Sequence, residues 1–429
     1  MANPGDIVIV KTKDKEFKGI FMPNQETDSV VIKLDNGYNI GIEKENIKEM
    51  KVIEKYKEKE IKKEKKSGHE KKKKIIYILH TGGTIASKVD YRTGGVVARF
   101  SPEEIINMFP ELKEIANIES QLIYNMFSED MRFKHYSIIA NAIKKVVDKG
   151  ADGIILTHGT DTMTYTSAAL SFILENLPVP VIIVGAQRSS DRGSSDAQMN
   201  LICAAHFIAK TDFAGVAICM HESIEDKTCL IMPAAKTRKL HTSRRDAFKV
   251  VNDKPIARVY YDGKIEFIKK GYEKKSYNKK LVVKDNMEEK VAILRVHPNM
   301  TPEQFSFYKG YKGLIIEGTG LGQAPVGVPN ELCDIHKKNL KAIEDLIKNG
   351  CIIVMTSQAI FGRVHMHVYS NAIDLVNTGV IPGDDMLTET AFVKLAWLLG
   401  NYPKEKVKEL IRQDLRGEIN TRIEPDEFL

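Results

Sequence analysis

Two threonine-rich segments carry residue types that could attack the carbon of an amide. They read HTGGTIAS at residues 80–87 and THGTDT at residues 157–162. A threonine hydroxyl is a weak nucleophile, so it needs a neighbouring base or another activating group. Asp161 directly follows Thr160, and the glycines permit tight turns in which backbone N–H groups can approach a substrate. Together these features indicate threonine-dependent amide chemistry.

Lys239 is the candidate partner for these hydroxyls. It lies in the segment KTRKLHTSRRDAF, residues 236–248. A lysine paired with an aspartate beside a hydroxyl could relay the hydroxyl proton if the pair is partly buried. A lysine considered alone is more often a solvated surface residue. The residues by themselves leave both interpretations open.

Two other interpretations of the threonine-rich segments involve no amide chemistry. A phosphate-binding loop would need the pattern GxxxxGK[ST] or GxGxxG, and TGGTIAS has neither. Plain structural turns are the other possibility, because threonine and glycine are common in turns. Two such segments at strand ends of one predicted sheet favour a catalytic role over a structural one.

Both segments follow apolar runs that predict buried strands. These runs alternate with helical patterns, which indicates a doubly wound parallel α/β sheet. Ligands of such sheets bind beyond the carboxyl ends of the strands, where both segments lie. The predicted strands are 75–79, 153–156, 180–185 and 215–220, and the predicted helices are 102–116, 137–149, 162–177 and 196–209.

A second α/β unit follows a polar connection at residues 273–290. We therefore expect two α/β domains, 75–285 and 286–429, with the threonine-rich segments in the first. The strands predicted in the second are 291–296, 313–317 and 351–356, and the helices are 332–348, 370–377 and 388–399.

Residues 1–53 predict a module of a different kind. Five short β-rich runs, DIVIVK, EFKGIFM, SVVIKL, YNIGI and IKEMKVI, fit a small SH3-like β-barrel with a turn at residues 35–37. The module has no catalytic pattern, so we expect an interaction role. Residues 51–74 contain twelve Lys and five Glu, a charge of +7 that equals the formal net charge of the whole chain. We interpret residues 54–74 as a solvated linker, with RNA contact as the alternative.

Composition argues against several other classes of protein. The five cysteines are scattered and form no CxxC pair, which argues against a disulfide framework or structural zinc and for a reducing cytoplasm. No apolar run is long enough to span a bilayer, and the N-terminus lacks the pattern of a signal peptide. We therefore expect a cytoplasmic protein.

Residues 74–429 resemble the asparaginase superfamily of asparaginases and glutaminase-asparaginases. TGGTIAS is similar to the first active-site motif of that family, and THGTDTM is similar to the second. The resemblance implies that Thr84 attacks the amide carbon. It also implies that Thr160 and Asp161 activate water or the nucleophile and hold the substrate's ammonium group. Lys239, nine residues before the phenylalanine of DAF, completes the catalytic set in this family.

The same resemblance implies further substrate ligands. The segment NMFSEDM is similar to the motif that binds the substrate carboxylate, which gives Ser128 this role and places Glu129 where many asparaginases have Gln. Asp161 serves as a ligand as well. The family uses a tyrosine on a mobile loop after the first motif, and Tyr91 is the tyrosine in that loop here. Its offset from Thr84 is shorter than in bacterial asparaginases.

The N-terminal module and the segments GTGLG, KLHTSRRDAF and GEINTR are similar to one archaeal branch, the glutaminase subunits of tRNA-dependent amidotransferases. That resemblance implies glutamine hydrolysis without a cofactor or metal in this polypeptide. Ammonia would pass to a partner polypeptide that binds tRNA(Gln) and uses ATP and Mg²⁺. It also implies a homodimer within a heterotetramer. A free-standing cytoplasmic asparaginase and a non-catalytic scaffold are the alternatives.

Overall fold

A computed structural model describes most of the chain. The described residues are 2–23, 28–35, 39–55, 70, 72–83, 87–89, 96–98, 109–189, 194–276, 278 and 280–428. Thr84 and Tyr91, both expected in the site, lie outside these ranges. So do most of the expected linker 54–74 and two residues of the expected turn at 35–37.

The N-terminal module is a five-stranded antiparallel sheet whose last strand pairs with its first. Val8, Val10 and Ile32 are fully buried at its centre. This arrangement is consistent with the small barrel-like module that the sequence predicts. The strands are Ile7–Lys11, Glu16–Met22, Ser29–Leu34, Asn39–Glu43 and Glu49–Glu54.

The first α/β unit is built on an eight-stranded sheet, called here the first sheet. Five neighbouring strands are parallel, and three more continue the sheet antiparallel. The predicted α/β fold is confirmed, with an antiparallel extension added to it. In spatial order the strands are Asn117–Met126, Ile75–Gly82, Gly153–Thr157, Pro180–Val184, Gly215–His221, Thr228–Pro233, Ala257–Tyr260 and Ile265–Phe267.

Helices of the first unit cover both faces of this sheet. On each face their apolar residues form a separate buried cluster with those of the strands. The predicted helix 162–177 ends early, at Ile173, because Leu174–Glu175 pairs as a short strand with Val282–Val283. Of the predicted helix 102–116, the described part shows one turn. The helices are Leu112–Ile115, Phe133–Asp148, Met163–Ile173 and Ala197–Lys210, and Ser128–Asp130 forms a 3₁₀ turn.

Two small antiparallel pairs lie outside the first sheet. Ser87–Val89 pairs with Val96–Ala98, on either side of the segment that contains Tyr91. Thr237–Lys239 pairs with Phe248–Val250 and places Lys239 opposite Phe248. We call the second pair the lysine hairpin.

The second α/β unit has a four-stranded parallel sheet, the second sheet. The predicted helix 332–348 starts three residues late because Glu331–Cys333 forms a 3₁₀ turn first. Its strands are Val291–Arg295, Gly313–Gly318, Ile352–Ser357 and Ile381–Pro382. Its helices are Pro302–Ser306, Ile335–Lys348, Ser370–Thr378, Thr388–Asn401 and Lys404–Leu410, followed by a 3₁₀ turn at Pro425–Glu427.

Within the described ranges, the helices are too short or too polar for any of them to cross a membrane. The two units share one apolar cluster, in which Phe172 of the first unit stacks on Trp397 of the second, with ring centroids 5.6 Å apart. Burial of such large rings against each other fixes the second unit to the first. That fixed relation matters for the site, because the lysine hairpin contacts both units.

Candidate active site

The two glycine-rich turns meet at the carboxyl edge of the first sheet. Their strands are parallel neighbours, with His80 opposite Thr157. Gly83 has a φ of +77°, and a Cβ atom there would lie 2.4 Å from the nitrogen of Gly159. Only glycine allows both this backbone conformation and this close approach. The first turn therefore touches the second turn at Gly83, the residue before Thr84 in the sequence.

Side chains join the two strand ends as well. The Thr81 hydroxyl donates to the Thr157 carbonyl at 2.8 Å, and His80 Nδ1 lies 3.1 Å from Thr157 Oγ1. All three side chains are buried. Because hydrogen bonds inside a protein are shielded from water, these contacts hold the turns in one arrangement.

Thr160 and Asp161 follow the second turn and meet Lys239 there. Lys239 Nζ donates to Thr160 Oγ1 at 2.8 Å and to Asp161 Oδ1 at 2.7 Å. The Lys239 side chain is 13% exposed, whereas that of Asp161 is 67% exposed. The cluster thus has a sheltered amino group and hydroxyl and one carboxylate that faces solvent, where a cationic substrate group could bind.

The wall around Thr160 is built from small residues. A Cβ atom on Gly185, at the end of the neighbouring strand, would lie 2.9 Å from Thr160 Cγ2. A Cβ atom on Gly159 would lie 2.7 Å from Ser128 Cβ. The need for Gly185 was not recognised from the sequence. Its position directly after the apolar run 180–184 is the signal that could have suggested it.

Ser128 lies beside this cluster. Its carbonyl accepts from the Thr162 hydroxyl at 2.6 Å, and its Oγ lies 3.4 Å from the Thr162 nitrogen. Ser128 is buried, and the neighbouring Glu129 is exposed. The structure therefore brings Ser128 to the same turn as Thr160 and Asp161, with Glu129 next to it on the surface.

Two buried histidines support the turns, and the sequence did not single them out. His158 is fully buried, with Nδ1 2.7 Å from the Gly159 carbonyl and Nε2 2.9 Å from Thr166 Oγ1. Burial lowers the pKa of His158 to about 4, and it lowers the pKa of His80 to about 4 as well. Both rings are therefore neutral near neutral pH, so they position the turns without adding charge.

No group of three His, Cys, Asp or Glu side chains is arranged to hold a metal ion among the residues whose positions are described. The chemistry of the described cluster is that of hydroxyl, carboxylate and amino groups. Such groups can move a proton and bind an ammonium group.

Three family models match consecutive parts of the chain. The model described as GatD N-terminal domain matches residues 2–53. The asparaginase N-terminal model matches residues 75–272, and the glutaminase/asparaginase C-terminal domain model matches residues 290–411. The two asparaginase models cover the first and second α/β units in that order.

Two kinds of protein resemble the chain, namely amidotransferase subunits and L-asparaginases of solved structure. The D subunit of the glutamyl-tRNA(Gln) amidotransferase from Pyrococcus furiosus is 48% identical over 99% of this chain and 97% of its own length. The protein of the same name from Methanococcus maripaludis is 44% identical over 98% of both chains.

Among solved structures, the thermostable L-asparaginase from Thermococcus kodakarensis is 30% identical with a TM-score of 0.71. It covers 81% of this chain and 100% of its own. L-asparaginase I from Vibrio cholerae is 29% identical, with a TM-score of 0.69, and covers 81% of this chain and 99% of its own. The likeness to the amidotransferase proteins thus extends over more of the chain than the likeness to these asparaginases.

Proposed function

This chain belongs to the family of glutamyl-tRNA(Gln) amidotransferase D subunits, and we propose that it is the glutaminase component of a tRNA-dependent amidotransferase. It hydrolyses glutamine to glutamate and ammonia. Its partner, the amidotransferase E subunit, uses that ammonia to convert Glu-tRNA(Gln) to Gln-tRNA(Gln). One observation carries the hydrolytic part of the proposal: Lys239 Nζ lies 2.8 Å from Thr160 Oγ1 and 2.7 Å from Asp161 Oδ1.

The proposed reaction has two steps. The Thr84 hydroxyl attacks the side-chain amide carbon of glutamine, the C–N bond breaks, and ammonia leaves with an added proton. Water then hydrolyses the ester that remains, which releases glutamate and restores Thr84. In each step the unprotonated amine of Lys239 accepts the proton of the attacking group through Thr160. It then returns that proton to the leaving group, which is the amide nitrogen in the first step and the Thr84 oxygen in the second. Asp161 stabilises the lysine ammonium ion that forms in between.

The substrate ligands follow from the same geometry and from the family resemblance. The carboxylate of Asp161 faces solvent and binds the ammonium group of glutamine. Ser128, held beside Thr162, binds the substrate carboxylate. We also assign Glu129 to the substrate ammonium and Tyr91 to the activation of Thr84, both on the resemblance.

Hydrolysis of asparagine by a free-standing enzyme is the second candidate, because the solved structures that resemble this chain are L-asparaginases. The N-terminal module argues against it, since a family model specific to amidotransferase proteins matches residues 2–53. A non-catalytic scaffold is disfavoured by the intact contacts among Thr160, Asp161 and Lys239.

The proposed assembly places the remaining chemistry on the partner. The partner binds tRNA(Gln) and uses ATP and Mg²⁺, whereas the present chain works without a cofactor. We propose a homodimer of this chain within a cytoplasmic heterotetramer. The division proposed for the chain is an interaction module at 1–53, a linker at 54–74, a catalytic domain at 75–285 and a C-terminal domain at 286–429.

An ammonia-release assay on glutamine and asparagine, with and without the partner and charged tRNA, tests this function. Thr84→Ala should abolish glutamine hydrolysis, because it removes the attacking oxygen. Amidation supplied with free ammonium should continue in the Thr84→Ala complex, because that chemistry lies on the partner. Normal glutaminase activity in this variant, or a preference for asparagine in the full complex, would overturn the proposal.

A further inference from the structure

The strand that carries Lys239 bears cations on both of its faces. Side chains alternate along the strand Thr237–Lys239, so Arg238 points away from the face of Lys239, and Lys236 directly precedes the strand. Lys239 contacts the Thr160 turn, whereas Lys236 pairs with Asp385 and Arg238 pairs with Glu389. The lysine hairpin thus lies between the catalytic turn in front and two carboxylates of the second unit behind.

The Lys236–Asp385 pair is completely buried. Both side chains are 0% exposed, and Lys236 Nζ donates to Asp385 Oδ2 at 2.5 Å and to the Asp385 carbonyl at 3.0 Å. The other carboxylate oxygen accepts from the Asn420 nitrogen at 3.0 Å. Buried ion pairs are seldom more stabilising than apolar residues of the same shape, so stability alone does not explain this pair. Its directed hydrogen bonds do fix the position of the strand.

Asn252 attaches the second strand of the hairpin to the same unit, at the same end of the hairpin as Lys236. Its Nδ2 donates to the Gly362 carbonyl at 2.8 Å, and its Oδ1 accepts from the Gly362 nitrogen at 2.9 Å. The preceding Val251 nitrogen donates to the Lys236 carbonyl at 2.8 Å. Both strands of the hairpin are therefore attached to the second unit at the end marked by Lys236, three residues before Lys239.

We propose that Lys236, Asp385 and Asn252 are positioning residues, through which the second unit holds Lys239 Nζ within hydrogen-bond distance of Thr160. The proposal rests on the proposed role of Lys239 in hydrolysis. Displacement of a reacting group by about 1 Å can cost about 100-fold in rate. Loss of these contacts moves the hairpin and so lowers kcat, while the substrate ligands on the first sheet stay in place.

The chain offers a matched control in a second buried pair. Lys394 and Glu418 are also 0% exposed, with Lys394 Nζ 2.6 Å from Glu418 Oε1. Lys394 lies on the helix Thr388–Asn401, and its other hydrogen bonds go to the Ile411 and Gln413 carbonyls rather than to the lysine hairpin. A change at Lys394 therefore removes the same kind of buried cation without removing a hydrogen bond to the lysine hairpin.

The test compares Lys236→Gln with Lys394→Gln in the full complex with the partner and charged tRNA. Each variant should unfold at a lower temperature than the unaltered protein, because each leaves a buried carboxylate without its cation. Lys236→Gln should lower kcat for glutamine by about 10- to 100-fold with KM changed less than about threefold. Lys394→Gln should keep kcat within about twofold. Equal kcat values for the two variants would overturn the positioning role.

Asn252→Gly covers the case in which Lys236→Gln does not fold. Asn252 has a φ of +55°, which glycine adopts without strain, so this variant removes the side-chain bonds to Gly362 without straining the backbone. A reduced kcat with unchanged KM supports the proposal, and an unaltered kcat overturns it. Lys239→Ala separates the two hypotheses: activity in that variant refutes the proposed function, whereas an inactive Lys239→Ala beside a fully active Asn252→Gly refutes only the positioning role.

Discussion

Both sheets end their parallel strands in polar residues, but they use them differently. At the edge of the first sheet, Thr160 and Asp161 share Lys239, and the Asp161 side chain is 67% exposed. At the edge of the second sheet, Thr356 Oγ1 lies 2.9 Å from Thr388 Oγ1, and the Thr388 hydroxyl lies 3.2 Å from Glu317 Oε1. Thr356, Thr388 and Glu317 are all buried.

The comparison shows that a strand end does not by itself make a catalytic site. A hydroxyl or carboxylate whose hydrogen bonds all go to other protein groups contributes to the stability of the fold. Such a group has no free position at which a substrate could bind. The first edge keeps one open carboxylate, and its glycines Gly83 and Gly159 allow the surrounding segments to approach closely. The function of each edge therefore depends on which polar groups remain accessible.

The largest expected difference between the edges concerns Lys239. Lys239→Ala removes the group that receives the relayed proton, so kcat should fall by about 1,000-fold or more. Steady-state glutamine hydrolysis measures this effect. Lys249 is a suitable control because it lies on the other hairpin strand and donates to the Glu222 carbonyl at 3.1 Å. Lys249→Ala should keep kcat within about threefold, and a comparable loss in both variants would contradict a specific role for Lys239.

The sequence predicted the local elements well and their contacts poorly. The strand Gly153–Thr157 was predicted within one residue, because a run of buried apolar residues is a local signal. The predicted end of the helix that stops at Ile173 was wrong, because the competing strand pair with Val282–Val283 joins residues far apart in the chain. Strand pairing of this kind depends on tertiary structure that local propensity does not encode.

The candidate site divides in the same way. The sequence indicated Thr160 and Asp161 from their motif, but Lys239 only through the family resemblance, since 79 positions separate it from Thr160. The Lys236–Asp385 pair was not predicted, because its members are 149 positions apart and each looks like an ordinary surface charge in the sequence. Contacts of this range become visible only once the second unit is placed behind the hairpin.

The two edges should also respond oppositely to pH. The pKa of His80 falls from 6.5 to about 4 because the ring is buried. The unfolded chain then binds a proton that the folded chain does not, so stability is lost as pH falls from about 6.5 to about 4, by up to about 3 kcal/mol. Burial raises the pKa of Glu389 at the second edge, so its contribution is present at low pH and is lost as pH rises through that pKa.

Urea unfolding at about pH 4.5, 5.5 and 6.5 measures both effects. His80→Gln should flatten the loss of unfolding free energy toward low pH, because glutamine does not titrate. Glu389→Gln should leave that acid-side loss in place and remove only the opposing contribution of Glu389. An unchanged pH dependence in His80→Gln would show that this histidine is not held neutral by the fold.

The smallest expected effect is at Thr356, and its value lies in a comparison with Thr160. Valine has nearly the shape of threonine and lacks the hydroxyl. Thr356→Val should therefore lower the free energy of unfolding by about 1 kcal/mol, the usual contribution of one hydrogen bond. Its kcat should stay within about twofold, because Thr356 is only 1% exposed and its hydroxyl bonds Thr388 inside the protein.

Thr160→Val makes the same chemical change at the first edge. There we expect a large effect on kcat and a small effect on the free energy of unfolding. Thr160 is 7% exposed, and its hydroxyl accepts from Lys239 at 2.8 Å. The proposed proton relay passes through that oxygen, so kcat should fall by at least about 100-fold, while the unfolding free energy again changes by about 1 kcal/mol. Measurements of kcat and of unfolding free energy on both variants test whether the two hydroxyls differ in their contribution to catalysis. If the two valine variants lower kcat equally, the contact of the Thr160 hydroxyl with Lys239 does not distinguish the edges, and the loss in both reflects packing alone.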